Sequence, residues 1–151
     1  MQEATVHTQF GSLTIREEDE AITQLRWGKS LRNDDTALLK EAVRQVAEYD
    51  AGTREQFDIP IRVQGSAFQR DVCDAISAIA FGDTCTYGDI AKALAVPAQA
   101  VGQACGGNPI PIIIPCHRVM GAKGLTGFSG AGGVETKVAL LRHEKAAGLL
   151  I

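Results

Sequence analysis

Apolar and polar positions alternate from the start of the chain. Val6, Thr8 and Phe10 alternate, Gly11-Ser12 reads as a turn, Leu13 and Ile15 resume, and Thr23, Leu25 and Trp27 follow the acidic tip Glu17–Glu20. This predicts a small antiparallel meander. Asn33, Asp34 and Asp35 offer a helix start, with Leu39, Ala42, Val43 and Val46 at helical spacing until Asp50-Ala51-Gly52. Phe57 to Ile61 is short and extended, and the proline within it marks an edge or a linker. A boundary near Val63 to Gly65 gives an N-terminal domain over residues 1–64 and a second over 65–151.

The second half changes period. From Ser66, Phe68, Val72, Ala75, Ile76 and Ile79 share one helical stripe that Gly82 closes. Thr86 to Leu94 and Ala98 to Gly106 read as two short helices around Ala95-Val96-Pro97, a helix-turn-helix outline that any compact helical hairpin also gives. In the second helix Val101 and Cys105 can face inward, while Gln99 and Gln103 share a surface otherwise made of Ala and Gly. A helix that thin suits a confined groove or tight helix packing equally. Residues 108–119 hold three prolines and predict a stiff extended strut, which buries its isoleucines and delivers Cys116 and His117 to a fixed position. A glycine-rich stretch from Gly121 to Gly133 could bring backbone amides to a ligand, without a phosphate-loop signature. Val134, Val138 and Leu141 mark an amphipathic helix with His143 and Glu144 near its end.

A composition of 45% apolar and 22% charged residues over 151 positions excludes disordered and collagen-like chains. The net charge of -3 is unevenly spread: residues 1–83 carry 9 Lys/Arg against 15 Asp/Glu, and residues 84–151 carry 6 against 3. A polyanionic partner would therefore meet the C-terminal half. The N-terminus has no basic segment followed by an apolar one, and nothing approaches roughly 18 unbroken apolar residues, so a cytoplasmic protein without membrane contact is expected. Cys73, Cys85, Cys105 and Cys116 form no Cys-x-x-Cys pair, which predicts free thiols and no zinc site.

A nucleophilic cysteine acts as thiolate, and a neighbouring imidazole favours that form. His117 is the obvious base for Cys116, although adjacent residues of an extended chain point to opposite faces, so a bridging water is expected between them. A carboxylate on the other ring nitrogen would complete a relay. Glu144 is the best placed of the C-terminal acids, because Asp89 lies in a helix start and Glu135 in a solvent-facing turn. Coincidental adjacency is the alternative.

Pro115-Cys116-His117-Arg118-Val119, preceded by Gly107-Asn108-Pro109 and followed by Gly127-Phe128-Ser129-Gly130, resembles the O6-alkylguanine-DNA alkyltransferases. Phe68-Gln69, Tyr87-Gly88-Asp89-Ile90-Ala91, Ala100-Val101-Gly102 and Leu140-Leu141-Arg142-His143-Glu144 extend the resemblance, in order, over roughly Ser66 to Lys145. It implies an α/β (α+β) chain, in which a small ribonuclease-H-like domain precedes a mostly helical, winged-helix-like domain carrying the helix-turn-helix. The implied activity is direct reversal of DNA damage without a cofactor or metal. A monomer binds double-stranded DNA from the minor groove, flips the O6-alkylguanine, and takes the alkyl group irreversibly onto Cys116. The resemblance implies that His117 acts through water as base, that Glu144 orients it, and that Tyr87 donates toward guanine N3. Asn108 would support the turn before the nucleophile, the backbone of Val119 and Ser129 would read the base edge, and Phe128 would line its plane. Gln99, Ala100, Gln103 and Arg118 are the expected DNA contacts.

Two positions depart from the family pattern. Gln99 stands where an arginine usually fills the space of the flipped base, and Phe128 stands where a tyrosine is common. Gln99 keeps open a lesion-binding protein with slow or no transfer, as in the alkyltransferase-like proteins, whereas Cys116 argues for transfer. A transcriptional regulator is disfavoured because a recognition helix of Ala, Gly and Gln has few base-reading side chains. A hydrolytic cysteine enzyme is disfavoured because no oxyanion site is evident.

Overall fold

The computed structural model describes residues 1–121 and 133–146, which divide into two compact units, Met1–Gln64 and Gly65–Ile151. In the first, β1 (Gln2–Thr8), β2 (Gly11–Glu18) and β3 (Ala21–Trp27) form an antiparallel sheet in the order β1-β2-β3, with Val6 opposite Leu13 and Ile15 opposite Leu25. The alternation read from the sequence places Ala4, Val6, Leu13, Ile15 and Leu25 in the core, where α1 (Ala37–Asp50) contributes Leu39, Ala42, Val46 and Tyr49. Ile61 bridges Ile22 in parallel, so the proline-containing segment does lie at an edge.

The helix start falls later than Asn33–Asp35. Thr36 is the N-cap and accepts from the amide of Leu39. Asp34 is drawn off to the sheet instead, where its carboxylate accepts from the amide of Glu3 at 2.8 Å and pairs with Arg32 at 2.7 Å. On the polar side of the sheet the carboxylate of Glu3 takes Arg16 at 2.9 Å, Arg26 at 2.8 Å and the Ser30 hydroxyl at 2.7 Å. These donors hold Glu3 at a pKa of about 2 despite its burial, with the bond from Arg26 the largest cause.

In the second unit α2 (Ala67–Ser77) is capped by Ser66 and buries Val72, Cys73 and Ile76. It ends at Ser77, short of Gly82. α3 (Tyr87–Leu94) and α4 (Ala98–Gly106) form the expected helical pair, and Ala95 between them takes the left-handed conformation at φ 57° that caps α3. A two-residue parallel ladder joins β4 (Cys85–Thr86) to β5 (Val119–Met120), with Cys85 opposite Val119.

Residues 108–118 are not an extended strut. Ile112 sits at φ 72°, the amide of Ile114 donates to the carbonyl of Ile110 at 2.8 Å, and Cys116–Arg118 form a turn of 3₁₀-helix. Proline fixes its own φ and disfavours helix at the residue before it, but leaves the residues between free to turn, and here the chain doubles back. Ile110, Ile112 and Ile114 are buried as anticipated, whereas Ile113 is only half-buried. α5 (Val134–His143) also turns a different face inward. It buries Leu141 as expected, but alongside Lys137 and Leu140, while Val138 is half-buried and Val134 is 41% exposed. Among the described residues no helix is long and apolar enough to cross a membrane, and no cluster of His, Cys, Asp or Glu is grouped to hold a metal.

Candidate active site

Asn108 shapes the loop that carries Cys116. Its side-chain amide donates to the carbonyl of Ile114 at 2.8 Å and its side-chain oxygen accepts from the amide of Ile110 at 3.0 Å, so one buried side chain closes both ends of the Ile110–Ile114 turn. The amide of Cys116 then donates to Ile114 O at 2.8 Å, and the amide of Arg118 to Pro115 O at 2.9 Å. This tight turn puts Cys116, His117 and Arg118 all out of solvent.

Cys116 is 5% exposed and unoxidised. Burial raises its thiol pKa, while a hydrogen bond from Asn108 and the charge of Lys137 pull it back. Burial takes Cys105 to about 12, and it also raises Cys73 and the half-buried Cys85.

His117 is fully buried. Its Nε2 lies 2.7 Å from Glu144 Oε2, and its Nδ1, also buried, has no hydrogen-bond partner among the described residues. Desolvation lowers the imidazole pKa, and Glu144 only partly offsets this. An ionised carboxylate only accepts, so Nε2 carries the proton and Nδ1 presents a lone pair. The carboxylate chosen by elimination from the sequence is thus the one in contact.

Arg118 was expected at DNA. It is instead 6% exposed, with Nε and Nη2 donating to Glu144 at 2.8 and 3.1 Å, Nη1 donating to Ile79 O at 2.7 Å, and its guanidinium 5.8 Å from the centre of the Phe81 ring. A side chain so enclosed is not a surface ligand for phosphate.

Lys137 escaped the sequence reading. It is 1% exposed, its Nζ donates to Val119 O at 2.6 Å, and burial depresses its pKa while Cys116 and Cys105 oppose that. The backbone of Val119 is expected to read a base edge, and its carbonyl has one lone pair already engaged by Lys137. The signal was present in the spacing, since Lys137, Leu140, Leu141 and Glu144 fall at i, i+3, i+4 and i+7. Two charges interrupted the apolar stripe and hid it.

Tyr87 opens α3 directly after Thr86, whose hydroxyl and backbone amide form a capping box with Asp89. Thr86 pairs with Met120, so the ladder runs from the start of α3 to the residues just after Arg118. On α4, Gln99 and Gln103 are exposed and Ala100 is half-buried, while Val101, Ala104 and Cys105 face the core. A Cβ built on Gly102 or Gly106 meets no atom within 4 Å among the described residues, so helix packing does not require those glycines. Phe128, Ser129 and most of the glycine-rich stretch lie outside the described residues.

Comparison with known proteins accounts for both units. Residues 67–146 match the family described as "6-O-methylguanine DNA methyltransferase, DNA binding domain", and residues 1–63 match its "ribonuclease-like domain". The methylated-DNA–protein-cysteine methyltransferase of Mycolicibacterium paratuberculosis is 40% identical over 151 residues, covering 93% of this chain and 90% of its own. The constitutive enzyme of that name from Bacillus subtilis is 39% identical, covering 93% of each chain. Among solved structures, the Mycobacterium tuberculosis OGT in complex with DNA superposes with a TM-score of 0.86 at 38% identity, over 98% of this chain and 96% of that one.

Proposed function

The chain belongs to the 6-O-methylguanine DNA methyltransferase family and is a DNA repair methyltransferase; on that premise we propose that Cys116 is its alkyl acceptor and that His117, Glu144 and Tyr87 serve the transfer. The observation that carries this reading is the buried His117–Glu144 pair, which leaves Nδ1 unpartnered one residue from a buried free thiol.

The substrate is O6-alkylguanine in double-stranded DNA, approached from the minor groove by a monomer, with α4 facing the duplex and the lesion flipped out. The thiol proton passes to Nδ1 of His117 through one water, because Nδ1 has no direct bond to Sγ. Sγ attacks the alkyl carbon, the S–C bond forms, and the C–O6 bond breaks with its electron pair going to guanine. Tyr87 donates toward N3 as that charge develops. Displacement at a saturated carbon needs alignment and a thiolate but no oxyanion hole, consistent with the site's composition. The thioether has no leaving route, so each molecule acts once. Gln99, Ala100 and Gln103 meet the DNA, Asn108 holds the nucleophile's loop, and the backbone of Val119 and Ser129 together with Phe128 receives the base. The chemistry requires no cofactor, and the protein works in the cytoplasm.

Incubation with an O6-methylguanine duplex, followed by intact and peptide mass measurement, tests this. One added CH2 on the peptide containing Cys116, absent in Cys116→Ser, is the expected result. Protein that binds excess lesion yet stays unmodified would overturn transfer and favour a lesion-binding role traceable to Gln99.

A further inference from the structure

Building on the proposed role of His117 as base, we infer that Arg118 is a positioning residue that keeps the imidazole proton on Nε2 and thereby reserves Nδ1 for the thiol proton. The geometry restricts the guanidinium from three sides. Its fork spans both oxygens of Glu144, its remaining nitrogen is tied to Ile79 O, and the Phe81 ring lies 5.8 Å away. A planar group so held cannot rotate, and it fixes the carboxylate with Oε2 toward His117.

The consequence is chemical as well as geometric. Glu144 is 2% exposed, and a buried carboxylate without a cation beside it has two escapes from its uncompensated charge. It can take up a proton and donate it to Nε2, which moves the imidazole proton to Nδ1. It can also hold His117 as imidazolium, with both nitrogens protonated. Either escape places a proton on Nδ1 and removes the base. Arg118 closes both, because it satisfies the charge of Glu144 and its own charge opposes imidazolium formation. Among the described residues the charged groups that bear most on His117 are Glu144, Arg118 and Lys137, and the two cations act in the same direction.

Nitrogen NMR of ¹⁵N-histidine-labelled protein reads the tautomer directly, with the His117 signals assigned by His117→Gln. Wild type is expected to be neutral with the proton on Nε2. In Arg118→Met, Nδ1 becomes protonated and single-turnover transfer slows about 100-fold, the worth of a general base, with duplex affinity unchanged. Arg118→Gln, neutral but still a donor, gives the same result should the Met variant fail to fold. Arg118→Lys restores the cation, and with it the Nε2–H tautomer and part of the rate. A folded Met or Gln variant that keeps the proton on Nε2 overturns the assignment whatever its rate, as does a Lys variant that regains the tautomer without any rate. Failure of wild type to transfer would instead overturn the proposed function, while the tautomer still reports on Arg118.

Discussion

Glu144 and His117 share a 2.7 Å contact through Nε2 alone, which leaves the two ring nitrogens with opposite roles. Thiol with neutral imidazole, and thiolate with imidazolium, hold the same number of protons. Burial lowers His117 from its ordinary value of 6.5 and raises Cys116 above 9.0. Transfer by wild type is therefore expected to be level in pH between those two titrations and to fall only on the acid side, as His117 becomes charged. In His117→Gln the internal base is gone, so the rate drops by about 100-fold at neutral pH and climbs roughly tenfold per pH unit as hydroxide removes the thiol proton. Single-turnover rates from pH 6 to 9 check this; parallel profiles for the two proteins would remove His117 from the mechanism.

Asn108→Ala takes away the bonds to Ile110 and Ile114, which strands the buried Ile110 amide and leaves the Ile114 carbonyl with only its bond from the Cys116 amide. A loss of about 2–3 kcal/mol is expected, together with slower transfer as Cys116 loses its donor. Thermal unfolding and the single-turnover rate give the two values separately. Unchanged stability would mean that the turn is held by its backbone alone.

Gln99 is exposed on α4, and Gln99→Arg adds a cation there. Affinity for an O6-methylguanine duplex should improve about fivefold, near 1 kcal/mol, with the gain shrinking as salt is raised. Gly102→Ala separates folding from binding on the same helix. The new Cβ meets nothing within 4 Å among the described residues, so helix propensity should stabilise the protein by about 0.5–1 kcal/mol while close approach to DNA suffers. Titration of labelled duplex, with unfolding run alongside, distinguishes these effects. An α4 that merely packs would show no change in binding for either variant.

Glu3 governs the acid stability of the first unit. Its pKa is about 2 folded against an ordinary 4.5, so its contribution is complete above 4.5 and disappears as pH falls toward 2. That difference corresponds to about 3 kcal/mol at neutral pH. Glu3→Gln should cost about 2 kcal/mol at pH 7 and flatten the stability profile between these two values. Denaturant melts across that range test it.

Elements whose side chains obey one period were legible in the sequence. The meander and the α3–α4 pair follow from alternation, helical spacing and the turn at Ala95–Pro97. The places where the reading failed are those where a residue serves something other than its own element. Asp34 ties down β1 instead of capping α1, and Asn108 folds a proline-rich stretch back on itself through side-chain bonds that spacing does not announce. Arg118 and Lys137 look like surface cations because burying a charge is costly, and only the partners Glu144 and Val119, brought up by tertiary structure, make their burial tolerable. Cys116, His117 and Glu144 were within reach because thiol, imidazole and carboxylate form a chemically coherent set even when their distances are unknown.

The 5% exposure of Cys116 matters for the time before any substrate arrives. A protein proposed to work once is a reagent in storage, and any stray electrophile or peroxide that reaches the sulfur spends the molecule. A buried, largely protonated thiol reacts slowly with such species, whereas a seated base holds its alkyl carbon in line with the sulfur, and that alignment offsets the barrier. The same desolvation that makes the cysteine a poor general nucleophile thus gives it a shelf life.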